Sequence, residues 1–291
     1  MEASFFTQVL LPASLAMIMF GMGLTLTLTD FKRLFHTPKA VSLGLFGQMI
    51  CLPLLAFAMC IALNVAPHIA IGIMVLAACP GGTSSNLLSH IGRANLALSV
   101  SLTAITTIVC VISTPWLIKF SVDYFTILPK ESFSLIKTSL SLLVITLIPI
   151  IIGMSVRHYA LAFAQRTEGM FRHLSTLFLF SMIILIAIDE QDMLVESFPD
   201  VFILTFGLNL LATIVGVVLA RLGNLNDNDA VTLGIEVGTQ NATMSILISV
   251  SFLNHPEYAI ASGVYGVTMY VGAFLLILSR KKQWFGFGLK A

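Results

Sequence analysis

Apolar runs of about twenty residues recur along the whole chain, separated by short links that carry Pro, Asn, Asp or Gly. A hydrocarbon core of about 30 Å takes some 20 residues of α-helix, so each run is long enough to cross a bilayer. The pattern predicts nine spans, at about 5–28, 40–62, 69–91, 95–118, 135–156, 173–190, 200–221, 229–252 and 259–279. The first run follows Met1-Glu2-Ala3-Ser4 without a basic segment and exceeds a signal-peptide h-region, so it reads as a retained span.

Two spans carry polar interruptions. The third contains Cys79-Pro80-Gly81-Gly82-Thr83-Ser84-Ser85-Asn86, a helix breaker, two flexible residues and then N-cap residue types. It reads as stop, turn and restart, with Ser84 or Ser85 capping the second half-helix. The eighth reads Gly234-Ile235-Glu236-Val237-Gly238-Thr239-Gln240-Asn241-Ala242-Thr243 in an otherwise apolar stretch. Unwound backbone is tolerated at membrane depth only where protein buries it or water reaches it, so two such places imply an internal polar site. The third and eighth spans run in opposite directions and lie five spans apart. That is the placement an inverted-topology repeat produces, with two broken helices crossing at the midplane.

Composition agrees with a lipid-solvated chain: 57% of the 291 residues are hydrophobic, 10% are charged and mean hydropathy is +0.98, whereas a soluble domain carries about 25% charged residues. A net charge of +1 gives no reason to expect a nucleic-acid partner. Cys51, Cys60, Cys79 and Cys110 fall in apolar runs without metal-ligand spacing and read as small buried hydrophobes. The basic residues are unevenly shared. Lys32, Arg33, Lys39, Arg93, Arg157, Arg166, Arg172, Arg221, Arg280, Lys281, Lys282 and Lys290 fall on one side of nine spans, against Lys119, Lys130 and Lys137 on the other. The positive-inside rule then puts the N-terminus outside and the C-terminus in the cytoplasm. The acidic link from Asp189 to Asp200 lies outside on the same assignment.

Glu236 is the one acidic residue placed deep in a span, where a carboxylate costs about 2.5–3.5 kcal/mol. No lysine or arginine matches its depth, and the six histidines map to links or span ends, so its partner is a bound cation or a proton. The surrounding oxygens favour a hard cation, and sodium suits a transporter. Glu236 and Gln240 share a face if helicity persists between them, and Ser99 and Thr103 repeat that spacing on the fourth span. Gln48, mid-way in the second span, suits either ligation or interhelical hydrogen bonding.

Cys79-Pro80-Gly81-Gly82-Thr83-Ser84-Ser85-Asn86, followed by Asn95-Leu96-Ala97-Leu98-Ser99-Val100-Ser101-Leu102-Thr103 and later Ile235-Glu236-Val237-Gly238-Thr239-Gln240-Asn241, resembles the bile acid:sodium symporter family. Phe20-Gly21-Met22-Gly23-Leu24-Thr25 and Asp30-Phe31-Lys32 add to the likeness, which runs from the first span to the last. The resemblance implies a bacterial member of nine-span form, lacking the first helix of the ten-span relatives. It implies a core, about 40–118 and 200–279, moving against a panel, about 5–28 and 135–190. It also implies two sodium sites. One would use Ser85, Asn86, Ser99, Thr103 and Glu236; the other Gln48 and Gln240, with Glu236 and main-chain oxygens around Val237 and Thr239. Thr239 stands where the family motif often has methionine. Met269-Tyr270-Val271 replaces the Trp-His-Asn stretch of bacterial bile-acid-binding relatives, so the implied substrates extend to smaller carboxylates such as pyruvate or pantothenate.

The expected function is therefore sodium-coupled symport of an organic anion by alternating access. Half-helices starting near Thr83 and Asn241 would aim their N–H groups at one anion-binding cavity. Proton coupling through Glu236 is the rival within transport. An intramembrane enzyme is disfavoured, because Ser84 and Ser85 lack a histidine or lysine base at matching depth and no metal-ligand pair occurs.

Overall fold

The computed structural model describes residues 11–126 and 135–282. The start of the first predicted span, Lys130 and Lys290 lie outside the described residues. Among the described residues twelve helices follow one another: α1 Leu11–Gly23, α2 Leu28–His36, α3 Pro38–Ala62, α4 Pro67–Ala78, α5 Thr83–Ile91, α6 Leu96–Phe125, α7 135–159, α8 Leu161–Asp189, α9 Gln191–Leu222, α10 Asp227–Gly238, α11 Ala242–Phe252 and α12 Pro256–Lys281. Among the described residues, strand-like pairing is limited to one isolated bridge, between Gly81 and Gln240. Six helices, α3, α6, α7, α8, α9 and α12, are long and apolar enough to cross a membrane, and α1, α4 and α11 are shorter apolar helices.

Starts and stops follow local chemistry. Pro38, Pro67 and Pro256 occupy first turns, where a missing N–H removes no helical bond. Asn95 and Asn226 cap α6 and α10, accepting from the N–H groups of Leu98 (3.1 Å) and Asp229 (3.0 Å). Asn64, Arg93, Asn224 and Asn254 adopt φ of 48°, 50°, 51° and 55° just after α3, α5, α9 and α11. Beyond each, an N–H reaches back over the turn: Val65 to Cys60, Ala94 to Ser89, Leu225 to Ala220 and His255 to Ser249. These bonds satisfy carbonyls the helices leave open.

Several helices outrun the apolar segments that predicted them. α8 begins at Leu161 rather than near 173, and α9 at Gln191 rather than near 200, so most of the acidic link between Asp189 and Asp200 is helical. Hydropathy marks where a helix enters lipid, whereas helical hydrogen bonding continues until a cap or breaker intervenes. The amphipathic α2 corresponds to no predicted span.

Glycines let neighbouring helices touch through their backbones. A Cβ at Gly216 on α9 would lie 2.3 Å from the Leu233 carbonyl of α10, and one at Gly153 on α7 would lie 2.4 Å from the Phe20 carbonyl of α1. α1, α7 and α8 pack on one another, while α10 and α12 pack against α9. α11 meets α1, α8 and α12, which sets the end of the second broken helix beside α1 and α8.

Candidate functional site

The two interruptions meet. α4 stops at Ala78, extended backbone runs to Gly82, and α5 restarts at Thr83. α10 stops at Gly238 and α11 restarts at Ala242. The unwound segments pair antiparallel, Gly82 N–H to Thr239 O (3.2 Å) and Asn241 N–H to Pro80 O (3.0 Å). A Cβ at Gly82 would sit 2.8 Å from the Gln240 carbonyl, so this approach requires glycine.

One expectation needs correction here. Neither Ser84 nor Ser85 caps α5; Gly82 holds the cap position without a side-chain bond. Ser85 has other partners, the Gly82 carbonyl (2.8 Å) and Glu236 Oε1 (2.7 Å). Asn241 does cap its half-helix, accepting from Met244 N–H at 3.0 Å.

Glu236 is buried at the end of α10. Its Oε1 faces the hydroxyls of Ser85 and Ser99, and its Oε2 accepts from Thr103 at 3.1 Å. Ser99 also approaches Asn86 Oδ1, at 2.9 Å. α5 thus supplies Ser85 and Asn86, α6 supplies Ser99 and Thr103, and five predicted residues converge. Each serine hydroxyl has one proton but two acceptors: Ser85 faces Gly82 O and Glu236, and Ser99 faces Asn86 and Glu236. The cluster is rich in oxygen and short of protons. Among the described residues no lysine, arginine or histidine forms an ion pair with Glu236.

Gln240 lies apart from that cluster. The helix ends at Gly238, so the four-residue spacing from Glu236 does not place the two side chains on one helical face. Gln240 instead forms a reciprocal carboxamide pair with Gln48 of α3, at 2.6 and 3.2 Å, and donates to Val237 O at 2.9 Å. Gln48 also donates to Cys79 O at 3.4 Å, and the Thr239 carbonyl accepts from Gly82. This second group joins the ends of both first half-helices.

Beside the crossing, a cavity of about 40 Å³ is lined by Thr83, Ser84, Gln240, Asn241, Thr243 and Tyr270, together with Ser175 and Thr176 of α8. It adjoins a larger cavity of about 220 Å³, which also reaches Thr83 and is bounded by α1, α5 and α8 around Met22, His90, Glu168 and Phe171. Thr83 and Asn241 both line the smaller cavity. Tyr270, named from the sequence only as a departure from the relatives' Trp-His-Asn stretch, sets its hydroxyl 3.3 Å from Ser84 Oγ; Ser175 on α8 was missed. Also missed was Asn209, a lone carboxamide in the apolar run of α9 that the reasoning applied to Gln48 would have found.

Residues 12–197 match the sodium bile acid symporter family. The uncharacterized sodium-dependent transporter YocS of Bacillus subtilis (strain 168) is 29% identical over 254 residues, covering 87% of this chain and 77% of that protein. A rice (Oryza sativa subsp. japonica) protein named a probable chloroplastic sodium/metabolite cotransporter is 28% identical, over 92% of this chain and 62% of its own length. The human ileal sodium/bile acid cotransporter is 28% identical, over 82% of this chain and 68% of its own. With its apolar helices the chain is a multi-pass membrane protein. It belongs to the sodium bile acid symporter family.

Proposed function

We propose that the protein is a sodium-coupled secondary transporter of an organic anion, working by alternating access. The observation that carries this reading is the proton-poor oxygen cluster around Glu236, buried without a cationic side chain beside a cavity where two half-helix N-termini converge. Carboxylate, hydroxyl and carboxamide oxygens suit a hard monovalent cation, which would satisfy the surplus lone pairs. On this reading one sodium uses Ser85, Asn86, Ser99, Thr103 and Glu236. A second uses Gln48, Gln240, Val237 and Thr239 beside Glu236, and requires the paired carboxamides to turn their oxygens toward the ion. Thr83 and Asn241, at the N-terminal ends of α5 and α11, would take the anion's carboxylate.

The architecture proposed with it has nine spans, α4–α5 and α10–α11 each counting as one, related by an inverted repeat. The left-handed stops after α3 and α9, and again after α5 and α11, fall at corresponding points of the two halves and support that relation. α1, α7 and α8 would form the panel against which the remaining helices move. The N-terminus would be outside and the C-terminus cytoplasmic. Reconstitution in liposomes tests the function. Uptake of a labelled anion should follow an imposed sodium gradient with choline as control, drawn from a panel holding pyruvate, pantothenate and a bile acid. Uptake driven by a proton gradient alone would transfer the coupling role of Glu236 to a proton.

A further inference from the structure

Asn209 is buried in the middle of α9, one of the long apolar helices. Its Nδ2 donates to the Gly238 carbonyl (2.8 Å) and to the Met269 carbonyl (3.0 Å), and its Oδ1 accepts from Gly272 N–H (2.8 Å). Both donor hydrogens and the carbonyl oxygen are thus used on backbone groups of two other helices. The Gly238 carbonyl receives a second donor, the Tyr265 hydroxyl of α12, at 2.9 Å. Space around this junction is filled: a Cβ at Gly238 would lie 2.2 Å from Thr213 Oγ1, and one at Gly272 would lie 2.8 Å from Asn209 Oδ1.

The groups so joined border two different places. Gly238 ends α10, two residues after Glu236 and one before Thr239, whereas Met269 lines the cavity shared with Thr83 and Asn241 and precedes Tyr270. Gln48 offers an instructive contrast. It too reaches from a long helix to a carbonyl at the end of a first half-helix, Cys79, at a separation of 31 residues, against 29 for Asn209 and Gly238. Gln48 spends its other capacity on the side-chain carboxamide of Gln240. Asn209 spends all of its capacity on backbone.

We propose that Asn209, with Tyr265, is a positioning residue that rivets the unwound end of α10 to the middle of α12, so that ordering of the cation-binding segment is transmitted to the cavity wall at Met269 and Tyr270. The proposal rests on the sodium reading above. A side chain hydrogen-bonded to two elements couples them only while both sets of bonds persist, which makes the coupling removable without emptying either site.

The test is amide exchange, resolved to Gly272 and to segment 237–243, on the full-length protein in lipid nanodiscs titrated with sodium chloride against choline chloride. In the parent, sodium should slow exchange at both places with one midpoint, by about fivefold or more at Gly272, the lower end of ordinary site-to-site coupling. Asn209→Asp keeps an acceptor for Gly272 but, neutral between two carbonyls, offers one donor in place of two. Gly272 should stay protected there while its sodium response weakens and segment 237–243 still responds. Tyr265→Phe removes one of the two donors to Gly238 and should weaken the response at Gly272 in the same direction, which keeps the idea testable if the Asp variant does not fold. A Gly272 sodium response of parental size in Tyr265→Phe or Asn209→Asp, accompanied only by faster exchange everywhere, would reduce these residues to packing and overturn the proposal. A parent with no sodium response in segment 237–243 is a different failure, because it removes the sodium reading itself and the coupling with it.

Discussion

Replacing Glu236 by glutamine removes a charge and little else. The carboxamide keeps an oxygen toward Ser85 and Ser99 and turns its nitrogen toward Thr103, with shape and volume nearly unchanged. A unit charge roughly 4 Å from a bound cation contributes about 4 kcal/mol at an effective dielectric constant of about 20. Sodium affinity in Glu236→Gln should therefore fall about a thousandfold, at tenfold for each 1.4 kcal/mol. Without sodium the variant should be at least as stable as the parent, because a buried carboxylate lacking a cationic partner carries a desolvation penalty that an amide escapes. The assay is unfolding of the purified protein in sodium chloride and in choline chloride of equal ionic strength. At a sodium concentration about a hundred times the parental Kd, the parent gains about 2.7 kcal/mol, while the variant, at about a tenth of its own Kd, gains under about 0.1 kcal/mol. Equal sodium-dependent gains would remove Glu236 from the cation site. A variant less stable than the parent in choline would mean that the carboxylate's charge holds the fold together, contrary to the reasoning above.

Gln48→Ala and Gln240→Ala should each raise the sodium midpoint and lower the steepness of sodium activation toward a Hill coefficient of about one, since the Hill coefficient cannot exceed the number of sites left; uptake measured against sodium reads both. Thr83→Ala and Asn241→Ser should weaken the organic anion by about tenfold or more, as expected for hydrogen bonds to a charged group, while sodium stabilisation in detergent stays near parental. Serine is chosen at 241 because it can still cap α11, where Asn241 now accepts from Met244; calorimetry with sodium first and anion second separates the two effects. A reporter fused after Ala291 should be cytoplasmic and one before Met1 outside, and finding both on one side would require an even number of spans.

Much of the architecture was legible because membrane helices announce themselves by length and apolarity, and because polar interruptions at depth have few structural explanations. Spacing alone put Ser99 and Thr103 on one face and singled out Glu236; the grouping of Ser85 and Asn86 with them was implied by the family resemblance. Other features depend on backbone detail that residue types do not encode. The end of α10 at Gly238, which separates Gln240 from Glu236, is set by pairing with Pro80 and Gly82, far away in sequence. The cap position of α5 fell to Gly82 because the helix starts at Thr83, and Ser85, inside its first turn, donates to Gly82 O and Glu236 instead of accepting from a helix N–H. The long N-terminal extensions of α8 and α9 were invisible to hydropathy, which reports the solvent around a helix and not its hydrogen bonds. Asn209 was legible in type and overlooked in position, an isolated carboxamide among leucines whose partners lie on two other helices.

The antiparallel contact between the two unwound segments is made by backbone atoms alone, with glycine required only where the chains come closest. A junction of that kind places almost no demand on the identity of the side chains that leave it. Thr83, Ser84 and Thr243 project from the crossing without holding it closed, whereas Asn241 also caps α11, so on the proposed reading substitutions at the first three would alter what the cavity accepts while leaving the joint intact. On the proposed reading, the architecture separates the residues that keep the molecule assembled from those that would choose its cargo, so that new solutes would be explored by changing a handful of positions without first finding a new way to fold.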